Sequence, residues 1–561
     1  MTRDADRAGR TVVLDGETLT LADVIDVAKF GAKVTYSPKA TQRSRDAYGL
    51  LLQAAAEDVP VYWFNRGGGE QRETIIFSGD PMAPENEALL KKSQFEAFAG
   101  GVRSGYGDAV PGVCVRAMMV IRANTMTYEA ASPALSAMLV HLLNQGITPL
   151  VRSRGSVGEG DLRMMDNIAA AMVGHGDVYH QGERIPASVA LAATGIAPLA
   201  PFGADRTALV STNAYFQAQC ALLVEEARDM LEWADLVYAM SLLGMNSSIT
   251  PISGAVQALR PYPWLNWSAK RVLGILQGSY LFERDDNRII QDPESLRASS
   301  QRHGSAWQAW AELRNSVELS INSSDHNPAI LMDRAIDDFP ELGTPHFQKY
   351  FVKGGVHSGG RSGYILSTAN WDPYPLANQI EAFTISLANL GIAIAQRTER
   401  FSSRFFTRSG LGDFFPGIDP KSLPISDSFV AIDLWQELSG LVNPINPTGT
   451  GMFEGVEDLQ AHTRIKVEKS RRAVELCLDL LSQNLLTASA WMDLRKLEKP
   501  DRMLGRPATE ALACFRRIMP FCSPPNLPDR PLGEVAVEFM RTNQAHEFVD
   551  LRLPDNVQRL R

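Results

Sequence analysis

The signatures that usually announce catalysis are missing: the chain has no phosphate loop, no His-Glu-x-x-His pair and no Gly-x-Ser-x-Gly elbow. Nucleotide and zinc-hydrolase chemistry therefore recede. The nine histidines are dispersed, and only His175 and His180 are close neighbours. Two histidines without an adjoining run of carboxylates make a poor metal site, so both read as surface or loop residues and no metal is expected. One segment stands out, Gly155-Ser156-Val157-Gly158-Glu159-Gly160-Asp161-Leu162, preceded by Pro149-Leu150-Val151-Arg152-Ser153-Arg154 and leading into a helix. A carboxylate favours a helix N-terminus, so Glu159 is either a cap for that helix or part of a site, and the sequence leaves both open.

Any such site must be positioned by long helices. Asn213 to Leu243 runs without Gly or Pro, Leu376 to Phe406 has only Gly391 as a breaker, and Val456 to Leu497 has neither. At 1.5 Å per residue, helices of about 30 to 40 residues reach roughly 45 to 60 Å, so they must pack along one another as a bundle. The N-terminal part is more broken. Thr11 to Leu14 and Val59 to Phe64 are strand candidates, with glycines at 67 to 69 and at 100 and 101. From Lys499 onward, Pro500, Pro507, Pro520, Pro524, Pro525, Pro528 and Pro531 leave room only for short helices. The expected division is a mixed N-terminal domain over 1–205, a central long-helix bundle over 206–498 and a C-terminal set of short helices over 499–561, in a mainly α fold.

Composition agrees with an ordinary globular enzyme: 561 residues, 45% hydrophobic and 21% charged, enough for a large core. The net charge of -9, without a basic tract to neutralise phosphates, argues against a nucleic-acid partner. Cys114, Cys220, Cys477, Cys514 and Cys522 are scattered and odd in number, which points to a reducing cytoplasm. The N-terminal residues lack an apolar targeting core, and no window is apolar enough to span a membrane, so no membrane association is expected.

The segment around Glu159 resembles Gly-Ser-Val-Gly-Ala-Ser-Gly-Asp-Leu of the histidine and phenylalanine ammonia-lyase family. Other stretches follow that family's order and spacing: Arg116-Ala117-Met118 with Arg122-Ala123-Asn124, Leu142-Leu143-Asn144, and Gly182 with Gly195-Ile196-Ala197-Pro198. Val61-Tyr62-Trp63-Phe64-Asn65-Arg66-Gly67-Gly68-Gly69 is similar to its Val-Tyr-Gly-Val-Asn-Thr-Gly-Phe-Gly loop. Gln291-Asp292-Pro293-Glu294-Ser295-Leu296-Arg297, with Gln301 and Gly304 following, is similar to its Gln-Asp-x-Tyr-Ser-Leu-Arg. Asn322-Ser323 with Asn327-Pro328, and Ser409-Gly410-Leu411, extend the likeness over roughly residues 15 to 480. The resemblance implies the long-helix bundle of the ammonia-lyase and fumarase–aspartase type. It also implies a homotetramer whose pockets draw loops from three subunits.

The departures bear on function. In the family, Ala-Ser-Gly cyclises into a methylidene-imidazolone, the electrophile that captures the substrate; this chain has Glu159-Gly160 after Gly158, one residue shorter and without the serine. The prosthetic group is therefore expected to be absent, and no other cofactor is called for. The family's supporting asparagine falls at Ser211, its outer-loop tyrosine at Glu294, and its Asn-Phe-His at Val356-His357-Ser358. What survives matches an elimination: Tyr62 aligns with the base that removes the β-proton and Arg297 with the arginine that holds the substrate carboxylate. A tyrosine with an ordinary pKa near 10 needs positive charge or hydrogen-bond donors nearby to act as a base, and Arg66 is the candidate in its loop. Asn65, Ser211, Gln301 and His357 complete the candidate pocket, and Glu457 aligns with the family's Glu-Asp across an insertion at 449–455.

Each assignment has a plainer rival. Tyr62 could be a strand-end packing residue, Arg297 an ion-pair partner of Asp292 or Glu294, Glu294 a solvated loop acid, Trp63 and Phe64 core, and His357 a satisfied loop histidine. Taken together, the resemblance and the departures imply a carbon–nitrogen lyase. It would act on an aromatic or heteroaromatic amino acid or its betaine without the electrophile, as the electrophile-free ergothioneine lyases do. Glu294 with Trp63 and Phe64 would supply charge and aromatic faces for a quaternary nitrogen. A cofactor-free enzyme of other chemistry, or a non-catalytic ligand-binding homologue, are the alternatives.

Overall fold

A computed structural model describes residues 6–334, 336–403, 407, 418, 422–449, 451–521, 526–549 and 553. Cys522, the Ser409-Gly410-Leu411 match and the end of the expected helix toward Phe406 lie outside the described residues. Helices dominate, with short two- and three-stranded sheets between them. Two compact units result, each assembled from separate stretches of chain: 1–222, 315–377 and 445–467 form the first, and 223–314, 378–444 and 468–561 the second.

The first unit holds the strands. Thr11–Leu14 pairs in parallel with Lys33–Tyr36, joined by the helix Leu21–Phe30, which opens on a Thr20–Asp23 capping box. A three-stranded antiparallel sheet, Ala329–Met332, Gly363–Leu366 and Phe351–Val352, packs its apolar side into a cluster with Leu50, Leu51, Ala54, Val61, Phe64 and Phe77. Val59 to Phe64, expected as a strand, is instead irregular over Val59 to Val61 and turns from Tyr62 onward. Asn65 explains why: its side chain is 1% exposed, accepts from Val61 N–H at 2.8 Å and donates to the Val59 carbonyl at 2.9 Å. Backbone groups that a ladder would pair are paired within the loop.

The second unit is the bundle. The helices Ala214–Met245, Tyr374–Arg400 and Thr463–Glu498 match the three breaker-poor runs, and their larger parts lie in this unit. Buried Arg397 donates to Asn484 and to Ser299, each at 3.0 Å, and Ser241 donates to the same Asn484 at 3.2 Å, so polar groups fix the register of otherwise apolar faces. A fourth long helix, Ser299–Ser320, was hidden by Gly304. A Cβ there would stand 2.7 Å from the Trp264 carbonyl, so this glycine serves close backbone approach rather than helix termination.

The third run starts later than expected, at Thr463 rather than Val456. Before it stand the short helix Met452–Gly455 and two isolated antiparallel bridges, Thr448 with Gln460 and Met452 with Glu457. His462 sits at φ +53° before the first helical turn, and its N–H is given to the Val157 carbonyl at 3.0 Å. The C-terminal stretch forms the short helices Arg506–Arg516 and Leu532–Thr542, as its prolines require. Among the described residues no helix is long and apolar enough to cross a membrane.

Candidate active site

The Tyr62 loop is held from inside. Asn65 clamps it as described, and Gly67 permits the return, because a Cβ there would lie 2.3 Å from the Gln71 carbonyl oxygen. The phenol oxygen of half-buried Tyr62 accepts a hydrogen bond from Gly69 N–H at 2.9 Å. Arg66 turns elsewhere, its guanidinium donating to the Asn65 carbonyl at 3.2 Å. Trp63 adopts φ +57°, a conformation costly for a bulky residue, and its carbonyl accepts from Thr207 Oγ1 at 3.2 Å.

The aromatic faces expected to meet a cation are otherwise engaged. Phe64 is buried and packs edge-on against Phe77 at 5.3 Å between centroids. Trp63 has the Arg206 guanidinium 5.3 Å from its ring centre, and that arginine is anchored on Asp166 at 3.0 Å. Arg206 has no motif around it and was invisible in the sequence.

The Glu159 loop lies in the same unit and is equally fixed. Gly158 sits at φ +95°, and a Cβ there would come within 3.0 Å of both Ala461 Cβ and His462 N. Asp161, fully buried, donates its N–H to the Thr212 carbonyl at 2.6 Å, and its carboxylate accepts from Tyr215 N–H at 2.9 Å and Phe216 N–H at 3.1 Å. Asp161 therefore serves the first turn of the helix Ala214–Met245, and burial lifts its pKa to about 6.

Glu159 is left for other work. The residue is 9% exposed; the Ala461 N–H bonds the carboxylate, while Oε2 is buried with no hydrogen-bond partner among the described residues. Burial first, and then the negative charges of Asp372 and Glu457, push its pKa up to about 8. Half-buried Glu457 is itself raised by burial, against the attraction of Arg163. Asp372 accepts from Tyr374 N–H at 2.8 Å at the start of the helix Tyr374–Arg400. No sequence pattern points to it, because it lies far along the chain from both glutamates.

Ser211 closes the short helix Asp205–Val210 and its backbone bonds the ring of His326, a fully buried histidine held at about pKa 3 by burial and by Arg122. Arg122 pairs with Asp325 at 3.0 Å, both buried, and Asp325 also accepts from Thr212 Oγ1 at 2.6 Å. This network ties the 208–213 turn to the core. His357 is 2.9 Å from Asp80 through Nε2, and its N–H donates to Gln53 at 3.2 Å, the arrangement of a satisfied loop histidine.

In the second unit Glu294 and Arg297 occupy one short helix, Glu294–Arg297, and pair at 3.4 Å; the Glu294 side chain is 84% exposed. Gln301 follows in the helix Ser299–Ser320 and accepts from Ser300 Oγ at 3.2 Å. Asp292, the other partner considered for Arg297, accepts from Ser248 N–H at 2.8 Å.

The residues present do not fit a methylidene-imidazolone. The serine that would be dehydrated is missing from the loop, and a buried carboxyl with an unpaired oxygen stands there instead. Among the described residues, no group of three or more His, Cys, Asp or Glu is arranged to hold a metal ion.

Histidine ammonia-lyase 2 of Fusobacterium nucleatum is 26% identical over 86% of this chain and 88% of its own length. Among solved structures, ergothionase from Treponema denticola, an ergothioneine-degrading enzyme in complex with desmethyl-ergothioneine sulfonic acid, superimposes with a TM-score of 0.80. It shows 24% identity, covering 96% of this chain and 100% of that one. Histidine ammonia-lyase from Trypanosoma cruzi superimposes at 0.77 with 19% identity, over 98% and 96% of the two chains. These two likenesses establish the shared fold. The model of the family described as aromatic amino acid lyase matches residues 19–517, and with a match of that extent the chain belongs to it.

Proposed function

We propose that this protein is a carbon–nitrogen lyase that eliminates the amine from the trimethylammonium betaine of an aromatic or heteroaromatic amino acid, without a methylidene-imidazolone. One observation carries the reading: the Tyr62 hydroxyl is held in its glycine loop by the Gly69 N–H, while the stretch matching the electrophile's tripeptide holds a buried acid, Glu159. A primary ammonium beside a base loses its proton, and the neutral amine would then have to leave as an amide anion. A quaternary ammonium has no such proton and leaves as a neutral tertiary amine. Tyr62 takes the β-proton, the C–H electrons form the carbon–carbon double bond, the C–N bond breaks, and trimethylamine departs with the C–N electrons.

Arg297 supplies a fork for the substrate carboxylate, and exposed Glu294 orients that fork through its ion pair. The ergothionase likeness and the ammonia-lyase relatives support the reaction class. The enzyme is proposed to work as a cytoplasmic homotetramer on this small, amino-acid-like substrate.

A screen over histidine-type, phenylalanine-type and betaine substrates, read by ultraviolet absorbance of the conjugated product, tests this directly. Turnover confined to betaines is the expected result. Release of ammonia from primary amino acids at comparable rates would refute it. Tyr62→Phe should lower kcat by roughly 10²- to 10⁴-fold while leaving substrate binding within about twofold. A variant that binds and still turns over normally would remove Tyr62 from the reaction.

A further inference from the structure

We propose that Glu159, Asp372 and Glu457 form a cation subsite, with the unpaired Glu159 Oε2 as its contact atom, and that the quaternary ammonium head of the substrate is the ion it takes. The inference deepens the proposed function and rests on it for the identity of that ion.

Glu159 is 9% exposed, the Ala461 N–H bonds its carboxylate, and Oε2 is a buried acceptor with no hydrogen-bond partner among the described residues. A buried polar atom left unpaired costs roughly 1–3 kcal/mol, so it is an arrangement that a ligand would relieve. The loop cannot relax to hide the atom. Gly158 is pressed on Ala461 and His462, the Val157 carbonyl holds His462 N–H, and Asp161 is fastened to the turn at 212 and the helix beyond it. Two further carboxylates bear on the same point from two other stretches of chain, Asp372 and Glu457.

Of the cations nearby, buried Lys466 stands over the Tyr374 ring at 5.2 Å, two residues along from Asp372. Arg163 acts on Glu457 and is paired with Asp166 at 3.3 Å, while His462 Nε2 is 2.7 Å from Thr448 Oγ1. Asp161 adds a further acid in the same loop. A diffuse cation without N–H groups suits this site, because it needs electrostatic neutralisation rather than several directed acceptors.

One consequence separates this subsite from an ordinary acidic surface. In the free protein Glu159 holds its proton to about pH 8, for the reasons given above. A cation can be bound strongly only by the ionised form, so its binding must expel that proton. The apparent Kd is the intrinsic one divided by the ionised fraction, which predicts an affinity about fifty-fold tighter at pH 8 than at pH 6.

The test is calorimetric titration of the full-length protein with choline and with its neutral isostere 3,3-dimethylbutan-1-ol, in buffers of different ionisation enthalpy. Choline should bind with release of close to one proton at pH 6.5 and tighten about fifty-fold from pH 6 to pH 8, whereas the isostere should bind far more weakly and without pH dependence. Glu159→Gln should abolish the proton release and flatten the profile; Asp372→Asn should weaken choline binding but retain the release. Equal binding of the two probes, pH-independent choline binding, no choline binding at pH 8.5, or proton release surviving in Glu159→Gln would each overturn the subsite. Betaine turnover read in parallel keeps the two ideas apart. Proton-linked choline binding without any lyase activity retains the subsite and rejects the lyase, while betaine cleavage with a KM unmoved by Glu159→Gln does the reverse.

Discussion

Replacing Glu159 by glutamine should stabilise the protein progressively as pH rises from about 5 to about 8. In the folded chain the Glu159 carboxyl keeps its proton to about pH 8, against an ordinary glutamate value of 4.5. The folded state therefore binds the proton more tightly than the unfolded state. The stability that this confers is fully present below about 4.5 and is lost as pH rises through about 8. Integrated between pH 5 and pH 9, the loss is on the order of 4 kcal/mol per chain. Glutamine keeps the shape and carries no charge, so its stability escapes this term. At roughly 2.1 cal/mol/K per residue the unfolding entropy of a chain this long is about 1.2 kcal/mol/K, so the difference corresponds to ~3 °C in Tm. Thermal unfolding of the two proteins, scanned side by side from pH 5 to pH 9 at one scan rate, should show the glutamine variant gaining on the wild type as pH rises. The raised pKa values of Asp161 and Asp292 affect both proteins alike and cancel in the comparison. Parallel profiles, or a glutamine variant that loses ground at high pH, would mean that Glu159 is ionised and satisfied in the folded state, and the reasoning from its burial would fall.

The intact mass of the purified protein should equal that of the plain chain; a loss of two waters mapped to residues 155–162 would show that an imidazolone forms after all. Light scattering at micromolar concentration should give four times the 61.5 kDa chain mass, and a monomer would contradict the assembly. Arg297→Lys should weaken carboxylate substrates by about ten- to a hundredfold, since a point charge cannot reproduce two parallel hydrogen bonds worth roughly 1.5–3 kcal/mol, while a decarboxylated amine should be unaffected. Glu294→Gln removes an exposed ion pair worth less than about 1 kcal/mol, so KM should move by less than about fivefold and equally for betaines and primary amines; a selective loss of betaines would return cation recognition to Glu294.

The bundle was legible because helix breakers are local signals. Runs with at most one Gly or Pro located three long helices to within a few residues at most ends. The same rule hid Ser299–Ser320, where Gly304 is required by the Trp264 backbone, and it overextended the third helix, since lacking a breaker does not oblige residues 456–462 to be helical. Val59 to Phe64 looked like a strand by composition, and what bends it is a single side chain, Asn65, closing hydrogen bonds within its own loop. No propensity scale carries that information.

The site was legible where it is contiguous and not where it is assembled. Tyr62 with its glycines, and Glu294 three residues before Arg297, are single stretches whose geometry follows from the local chain. Asp372, Arg206 and His326 reach their places only through folding, so their roles follow from tertiary contacts. Glu159 shows the difference most directly. As a sequence feature it was as readable as a cap for the helix Leu162–Met172, yet Asp161 stands at that N-cap position without a side-chain bond to it and gives its carboxylate to the Tyr215 and Phe216 amides of a helix that begins more than fifty residues later. Glu159 Oε2 has no hydrogen-bond partner among the described residues, and a buried acid oxygen left so is destabilising unless something binds it. The energetic cost of that oxygen, rather than the likeness to any relative, supports the cation subsite proposed at Glu159.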